Sequence, residues 1–277
     1  MAKILTIGLV VVMLIVGFAV GLVASPFILA QNASSSDTVW NSIQSTKVIR
    51  VGTDPSWPPY EQLDNSTNKI VGFEVDLTNA VAAQLGLTVD WQSVSFDNII
   101  TSVKQNKLDM GVSGFSVTPD RLEQVSFTMP HSITSAQVIM LQSTIDSKKI
   151  AALHSLEDLK SLGLTVGTQD GTTEQQELQA AGVQIRSWND FASAIQDMAS
   201  ANPSVQAVYA ETPITTAWIA QYHSLGKDIG TVYDHPYYPC AFVVSKNANT
   251  FLDKFNGAMA QIIASGQLDQ LRAKWHA

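Results

Sequence analysis

From residue 47 onward, short apolar runs alternate with segments whose apolar residues recur at a helical period. The runs 47–53 and 108–113 predict buried strands, and the stretch 73–85 between them predicts a helix. The same alternation returns in residues 164–222. A strand, a crossover helix and a second strand make a βαβ unit, so the pattern predicts an α/β chain with two halves, each a mostly parallel sheet flanked by helices.

Strand-like segments at 134–142 and 238–245 bracket the second half, so we expect the chain to cross into it and return. The predicted lobes are 47–133 plus 238–277, which is discontinuous, and 137–235. Two crossing strands form a hinge, and closure of two lobes around a ligand is a common use of such a hinge. The length of 277 residues suits two domains.

Residues 4–30 contain no charged side chain. At about 1.5 Å per helical residue this segment is long enough to cross a hydrocarbon core of about 30 Å. It is read either as a cleaved signal peptide or as an uncleaved membrane anchor, and both readings export the rest of the chain. Residues 31–46 are polar and Ser-rich, which predicts a flexible tether.

Composition excludes several classes of function. The formal net charge is −8, and an acidic protein repels phosphate backbones, so nucleic acid is not expected as a partner. The single cysteine, Cys240, forms no internal disulfide and builds no thiolate zinc site. We expect neither a cofactor nor a metal ion.

The loop after the first strand offers an aromatic platform. In open parallel sheets, ligands bind outside the carboxyl ends of the strands. The prolines of the segment 54–60 fix its conformation and present Trp57, which is a candidate stacking surface or, alternatively, a hydrophobic cover. Phe96 could supply the opposite wall, although it also begins a regular core-facing stripe.

The loop after the strand at 108–113 carries a candidate anion site. Gly114 lets a ligand approach the backbone, and Thr118 with the proline after it predicts a helix start. Arg121 lies in that first turn, where its charge opposes the helix dipole and a bound anion relieves the conflict. Its guanidinium can hold a carboxylate through two hydrogen bonds, with Ser116 and backbone amides completing the shell. A surface ion pair is the alternative.

The second half presents complementary groups. The segment 167–173 joins a strand to a helix, and Thr172 or Thr173 is expected to cap that helix. Glu211 follows another strand and precedes a helix, which places a carboxylate at the cleft unless it is only a helix-terminal acid. Arg121 from one lobe and Glu211 from the other would fit a zwitterion.

Five segments, in this order, resemble the polar amino-acid family of bacterial and archaeal extracellular solute-binding proteins that serve ABC transporters. The resemblance extends over residues 47–275. Its fold would be the two-lobe type II periplasmic-binding-protein architecture. The segments are VGTDPSWPPYE, IVGFEVDLTNAVAAQLG, LDMGVSGFSVTPDRLEQVSFT, VGTQDGTTEQ and VQAVYAETP.

The resemblance implies roles for residues of the first lobe. Trp57 and Phe96 match the aromatic walls of the family, and Arg121 matches its carboxylate ligand. Gly114 and Ser116 match a backbone donor and a hydroxyl donor.

The resemblance also implies roles near the second lobe and for the ligand side chain. Thr172 matches the second-lobe donor, and Glu211 stands where many members have Asp for the ammonium group. Asp54 matches a position that often touches the ligand side chain. An acid at Asp54 suits arginine, lysine, histidine or glutamine better than an acidic ligand.

The function so implied is capture of a polar or basic amino acid outside the cytoplasm and its delivery to an ABC transporter permease, by a monomer. Two rivals remain: a dehydratase-like enzyme on the same fold, and a ligand-sensing ectodomain. The motifs G-x-S-x-G, H-E-x-x-H and the P-loop are absent from the sequence, which disfavours the enzyme. His131 and His235 flank the predicted hinge, and a metal or acid–base site with Asp234 is the less favoured reading there.

Overall fold

The computed structural model describes residues 37–224, 226 and 228–277, with their side chains except at 224 and 234–237. The predicted signal peptide or anchor at 1–30 lies outside the described residues. Within the described residues, no helix combines the length and apolar character needed to cross a membrane.

The elements before the first crossing strand alternate between strands and helices. In chain order they are α1 (Thr38–Thr46), β1 (Val48–Thr53), β2 (Ser56–Trp57), β3 (Glu61–Asp64), β4 (Lys69–Val71), α2 (Phe73–Gln84), β5 (Thr88–Ser93), α3 (Phe96–Lys104), β6 (Met110–Gly111), α4 (Pro119–Gln124) and β7 (Ser126–Phe127).

The rest of the chain continues the alternation. These elements are β8 (Ser132–Leu141), α5 (Gln142–Lys148), α6 (Leu156–Ser161), β9 (Thr165–Gln169), α7 (Thr173–Ala181), β10 (Gln184–Trp188), α8 (Phe191–Met198), β11 (Ala207–Glu211), α9 (Thr212–Ser224), β12 (Ile229–Cys240), β13 (Val243–Val244), α10 (Asn249–Ala264) and α11 (Gln267–Trp275).

Two five-stranded mixed sheets organise these elements. The first has the order β5-β1-β6-β13-β7, and the second has the order β10-β9-β11-β8-β12. In the first, β1 pairs in parallel with β5 and β6, and in the second β9 pairs in parallel with β10 and β11. We call the parts built around them the first and the second lobe. The predicted two-lobe α/β fold is confirmed.

The crossing strands lie in the second sheet. β8 and β12 pair antiparallel from Ser132 opposite Cys240 to Leu141 opposite Ile229. The expectation of one strand over 238–245 is wrong, because the chain changes sheets there: β12 ends at Cys240 and β13 begins at Val243 beside β6 and β7. The predicted lobe limits near 133–137 and 235–238 fall inside β8 and β12, and they remain a prediction.

The predicted tether at 31–46 is wrong in its second part. Residues 38–46 form α1, and Val39 and Ile43 are buried in the core of the first lobe. Their spacing of four residues places both on one helix face. Trp40, beside them, stacks on Phe251 of α10 with ring centroids 6.3 Å apart. Within this helix, the polar residues Asn41, Ser42, Gln44 and Ser45 form the exposed side.

We expect Ile43→Ala to destabilise the protein by about 2–5 kcal/mol. Ile43 is 1% exposed, so its truncation leaves a cavity between α1 and the core of the first lobe. Urea unfolding followed by tryptophan fluorescence measures this free energy. The exposed neighbour Gln44, changed to Ala, should alter it by less than about 0.5 kcal/mol. Equal effects of the two substitutions would show that α1 does not belong to the core.

Candidate ligand-binding site

The loops that follow β1 and β6 in the first lobe meet the loops that follow β9 and β11 in the second. Ser116 donates a hydrogen bond from Oγ to Glu211 Oε1 at 2.6 Å, across 95 residues of sequence. Arg121 Nη2 donates to the Gly171 carbonyl oxygen at 3.2 Å. The carboxyl ends of both parallel strand sets therefore face the same interface, as the sheet rule requires.

Gln169, the last residue of β9, joins the lobes through its side-chain amide. Its Oε1 accepts a hydrogen bond from Trp57 Nε1 at 2.7 Å, and its Nε2 donates to Asp54 Oδ2 at 2.6 Å. Asp54 also accepts from Ser56 Oγ at 2.8 Å. Burial raises the pKa of Asp54, and the hydrogen bonds from Ser56, Gln169 and the Phe96 amide oppose the shift. Sequence reasoning missed Gln169, whose partners in the first lobe, Trp57 and Asp54, lie more than a hundred residues away.

The predicted aromatic walls lie against each other. The Trp57 and Phe96 rings stack with centroids 5.9 Å apart and an interplanar angle of 20°, and Phe96 stacks in turn on Phe115 at 4.7 Å. Trp57 is 2% exposed and packs into an apolar cluster of the second lobe, near Phe191. Phe96 as a wall opposite Trp57 remains a prediction, and a ligand group between the two rings requires them to separate from this stacked arrangement.

Arg121 is a buried cation that donates hydrogen bonds to backbone carbonyl oxygens. Its side chain is 7% exposed and begins from α4, whose N-cap Thr118 accepts a hydrogen bond from the Arg121 amide. Nη1 donates to the Ser116 carbonyl oxygen at 2.9 Å, and the guanidinium carbon lies 5.4 Å from the Phe96 ring centroid. Among the described residues, no carboxylate oxygen lies within 4.0 Å of its nitrogens. Burial lowers the pKa of Arg121, while the charges of Glu174 and Glu211 oppose that shift.

Two buried carboxyl groups of the second lobe are only partly satisfied. Glu211 is 2% exposed, and its Oε2 has no hydrogen-bond partner among the described residues. Glu174 is equally buried, accepts from Thr173 Oγ1 at 3.0 Å through Oε2, and has no partner for Oε1 within the described part of the chain. Burial raises the pKa of Glu211 to about 8 and that of Glu174 to about 7.

Sequence reasoning missed Glu174. It is the second residue of α7, where an acid is ordinarily explained by the helix dipole, and no pattern distinguishes a buried acid there from an exposed one. Its charge acts on both Arg121 and Glu211. The site thus combines one cation of the first lobe with two acids of the second.

Two predicted donors are occupied within the protein. The Gly114 amide donates to Glu74 Oε2 at 3.0 Å, so it bonds a carboxylate of its own lobe. Gly114 adopts a left-handed φ of 57°, and a Cβ there would lie 3.5 Å from the Trp57 ring. Thr172 is the N-cap of α7: its Oγ1 accepts from the Gln175 amide at 3.2 Å and donates to the Gln169 carbonyl at 2.8 Å.

A family model described as bacterial extracellular solute-binding proteins, family 3, matches residues 49–277. This chain belongs to that family. The resemblance inferred from the five sequence segments is thereby confirmed, and the family is one of extracellular proteins.

Individual relatives agree with this assignment. The ABC transporter arginine-binding protein 1 of Escherichia coli is 30% identical over 231 residues, which cover 82% of this chain and 90% of that protein. An ancestral arginine-binding protein bound to arginine superimposes with a TM-score of 0.74 at 30% identity, covering 83% of this chain and 99% of that one. An ancestral amino acid-binding protein, described as a precursor of cyclohexadienyl dehydratase, gives a TM-score of 0.74 at 27% identity, with 86% and 99% covered.

We expect the stability of this solute-binding protein, measured without added ligand, to fall as the pH rises from about 5 to 8. The pKa of Glu211 is raised from its usual 4.5 to about 8, so the folded protein retains a proton that the unfolded chain releases in this window. Glu211→Gln should flatten the decline by at least about 1.4 kcal/mol, the equivalent of one pKa unit. Glu174 adds a decline of the same sign, which remains in this variant.

Urea unfolding at several pH values measures the difference. The control is Glu157→Gln, which removes an exposed carboxylate of α6 and should leave the wild-type profile unchanged. Parallel profiles for the wild type and Glu211→Gln would contradict the assignment of a retained proton to Glu211.

Proposed function

We propose that this protein captures an amino acid between its two lobes outside the cytoplasm and delivers it to the permease of an ABC transporter. The observation that carries the proposal is the buried guanidinium of Arg121, which has no carboxylate at ion-pair distance among the described residues, together with one oxygen each of Glu211 and Glu174 that has no hydrogen-bond partner there. A cation of one lobe and carboxyl groups of the other thus lie where they would meet the carboxylate and the ammonium group of an α-amino acid. Family membership supports the same function.

The ligand's α-carboxylate would bind Arg121. Two parallel hydrogen bonds from the guanidinium would replace its bonds to the carbonyl oxygens of Ser116 and Gly171. The ligand's ammonium group would bind Glu211 through the free Oε2 and favour its ionised form. The hydrogen bonds that now join the lobes directly would thus give way to bonds through the ligand, and closure would be retained.

The binding free energy available to an amino acid is adequate for its capture. An amino acid of about ten heavy atoms, at up to about 1.5 kcal/mol per atom, reaches about 15 kcal/mol, while a micromolar Kd requires about 8 kcal/mol. The remainder can offset desolvation of the charged groups and the separation of Trp57 from Phe96.

We further propose a cationic ligand, with arginine as the leading candidate. Asp54, Glu174 and Glu211 contribute three acids to the interface against the one cation of Arg121, so a ligand with net positive charge reduces the imbalance. The E. coli relative and the ancestral protein bound to arginine support this choice.

The enzyme and the sensor have less support. The ancestral protein described as a precursor of cyclohexadienyl dehydratase is itself described as amino acid-binding. Product formation from prephenate or arogenate would establish the enzyme. Permease and ATPase genes beside the gene for this chain would favour transport over sensing.

A thermal-shift panel of the twenty amino acids tests the ligand class. A ligand at a hundred times its Kd stabilises the folded protein by about 2.7 kcal/mol, which raises Tm by several degrees. We expect the largest shift with arginine, and smaller shifts with lysine, histidine or glutamine. Stabilisation by glutamate or aspartate alone would refute the cationic ligand, and no shift with any amino acid would refute amino acid capture.

Arg121→Ala should weaken binding of the stabilising amino acid by at least about a hundredfold. The ligand carboxylate would be buried without its charged partner, a loss of about 3–5 kcal/mol. Titration calorimetry measures the affinity, and Tm reports whether the variant is folded. Arg186→Ala, which removes a half-exposed guanidinium of the second lobe, should bind as the wild type does. A loss below about fivefold in Arg121→Ala would exclude Arg121 as the carboxylate ligand.

A further inference from the structure

A second cluster of ionisable groups lies in the interior of the first lobe. It contacts residues 114–118, the loop between β6 and α4, which we call the ligand-binding loop. Glu61 of β3, Glu74 of α2 and His131, which precedes β8, are all buried. The function proposed above uses none of them. Buried charges are costly unless they are paired, so a cluster of this kind requires a physical explanation.

Glu74 contacts two parts of the lobe that lie far apart in sequence. Its Oε2 accepts the hydrogen bond from the Gly114 amide at 3.0 Å, and its Oε1 lies 3.0 Å from His131 Nε2, which makes an ion pair when the imidazole is protonated. Gly114 is the first residue of the loop that contains Ser116 and leads into α4, where Arg121 lies. A single carboxylate therefore holds the beginning of the ligand-binding loop.

His131 marks the place where the crossing strands join the first lobe. Its amide donates to the carbonyl oxygen of Cys240, the last residue of β12, at 3.0 Å. Its Nδ1 lies 3.1 Å from Oγ of Ser132, the first residue of β8. The His131 carbonyl oxygen accepts a hydrogen bond from Arg272 of α11. His131 is thus fixed to both crossing strands and to a helix of the first lobe.

The pKa values of the two acids of the cluster shift in opposite directions. Burial raises the pKa of Glu61 well above its usual value, and the adjacent charge of Glu74 raises it further. Burial alone would raise the pKa of Glu74 too, but the charge of His131 and the hydrogen bond from the Gly114 amide oppose it and leave that pKa lowered. Glu74 is therefore the more acidic of the two.

We propose that Glu74 is a positioning residue for ligand binding, which ties Gly114 of the ligand-binding loop to His131 at the origin of the two crossing strands. The proposal rests on the proposed function, because it concerns the affinity for the captured amino acid. Gly114 has a left-handed φ of 57° and lies against Trp57, so the direction of its amide sets the path of the loop toward Ser116 and Arg121. Lobe closure requires that this loop keep its orientation while β8 and β12 bend.

The decisive variant is Glu74→Gln. Its amide oxygen still accepts from the Gly114 amide, but the negative charge that pairs with His131 is lost. We expect the affinity for the amino acid that stabilises the wild type to fall at least tenfold by titration calorimetry, in protein that Tm shows to be folded. Glu157→Gln, which removes an exposed carboxylate, should stay within twofold of the wild type.

Glu61→Gln tests whether the effect is specific to Glu74. This variant keeps the Glu74 carboxylate and its contacts with the Gly114 amide and His131, so it should lose less affinity than Glu74→Gln. An equal or larger loss would overturn the assignment of the positioning role to Glu74. A lower Tm for Glu74→Gln with affinity within twofold of the wild type would reduce Glu74 to a structural role and overturn the proposal.

Two further measurements cover the remaining outcomes. If Glu74→Gln does not fold, His131→Gln removes the ion pair and leaves the Gly114 contact, and an unchanged affinity would overturn the proposal. The amide proton resonance of Gly114, recorded without ligand, should move upfield when Glu74 loses its charge, and no movement would overturn it as well. A wild type that binds no amino acid contradicts the proposed function instead, and the Gly114 resonance still tests the contact.

Discussion

The guanidinium of Arg121 is buried without a carboxylate at contact distance among the described residues, and the rest of the interface between the lobes depends on this constraint. Removing a charge from water costs several kcal/mol unless a partner compensates. The carbonyl oxygens of Ser116 and Gly171 and the ring of Phe96 provide only partial compensation, because they carry no net charge. The remaining compensation comes from Glu174 and Glu211 in the other lobe.

The protonation of Glu211 and Glu174 therefore determines how far the charge of Arg121 is balanced. Both acids are more easily protonated than ordinary carboxyl groups because they are buried, and Glu211 has a neighbouring acid in Glu174. A neutral Glu211 still accepts the bond from Ser116, so the lobes stay joined, but it no longer balances Arg121. In the proposed binding mode a zwitterionic ligand would supply both missing partners at once, so one molecule would be held more firmly than either of its charged groups alone.

Much of the site follows from the sequence because strand ends are visible in it. The carboxyl ends of parallel strands meet at one edge, so Ser116, Arg121 and Glu211 were predicted together. Asp54 was predicted through the family resemblance. The structure brings all four to the interface between the lobes. Gln169 and Glu174 were not predicted. A glutamine that ends a strand and an acid that begins a helix each have an ordinary local explanation, and only contacts across the interface distinguish them.

The sequence by itself determined the order of strands and helices, the loops at their ends and the signs of the charges there, because periodicity and turn chemistry are local properties. The tertiary structure alone decided that Trp57 stacks on Phe96, that Gly114 is held by Glu74 and that α1 belongs to the core. Each of these contacts joins segments that are distant along the chain. The same holds for the hydrogen bond between Gln169 and Asp54, which are 115 residues apart. Burial and pairing at such separations depend on how the lobes pack, which no local pattern encodes.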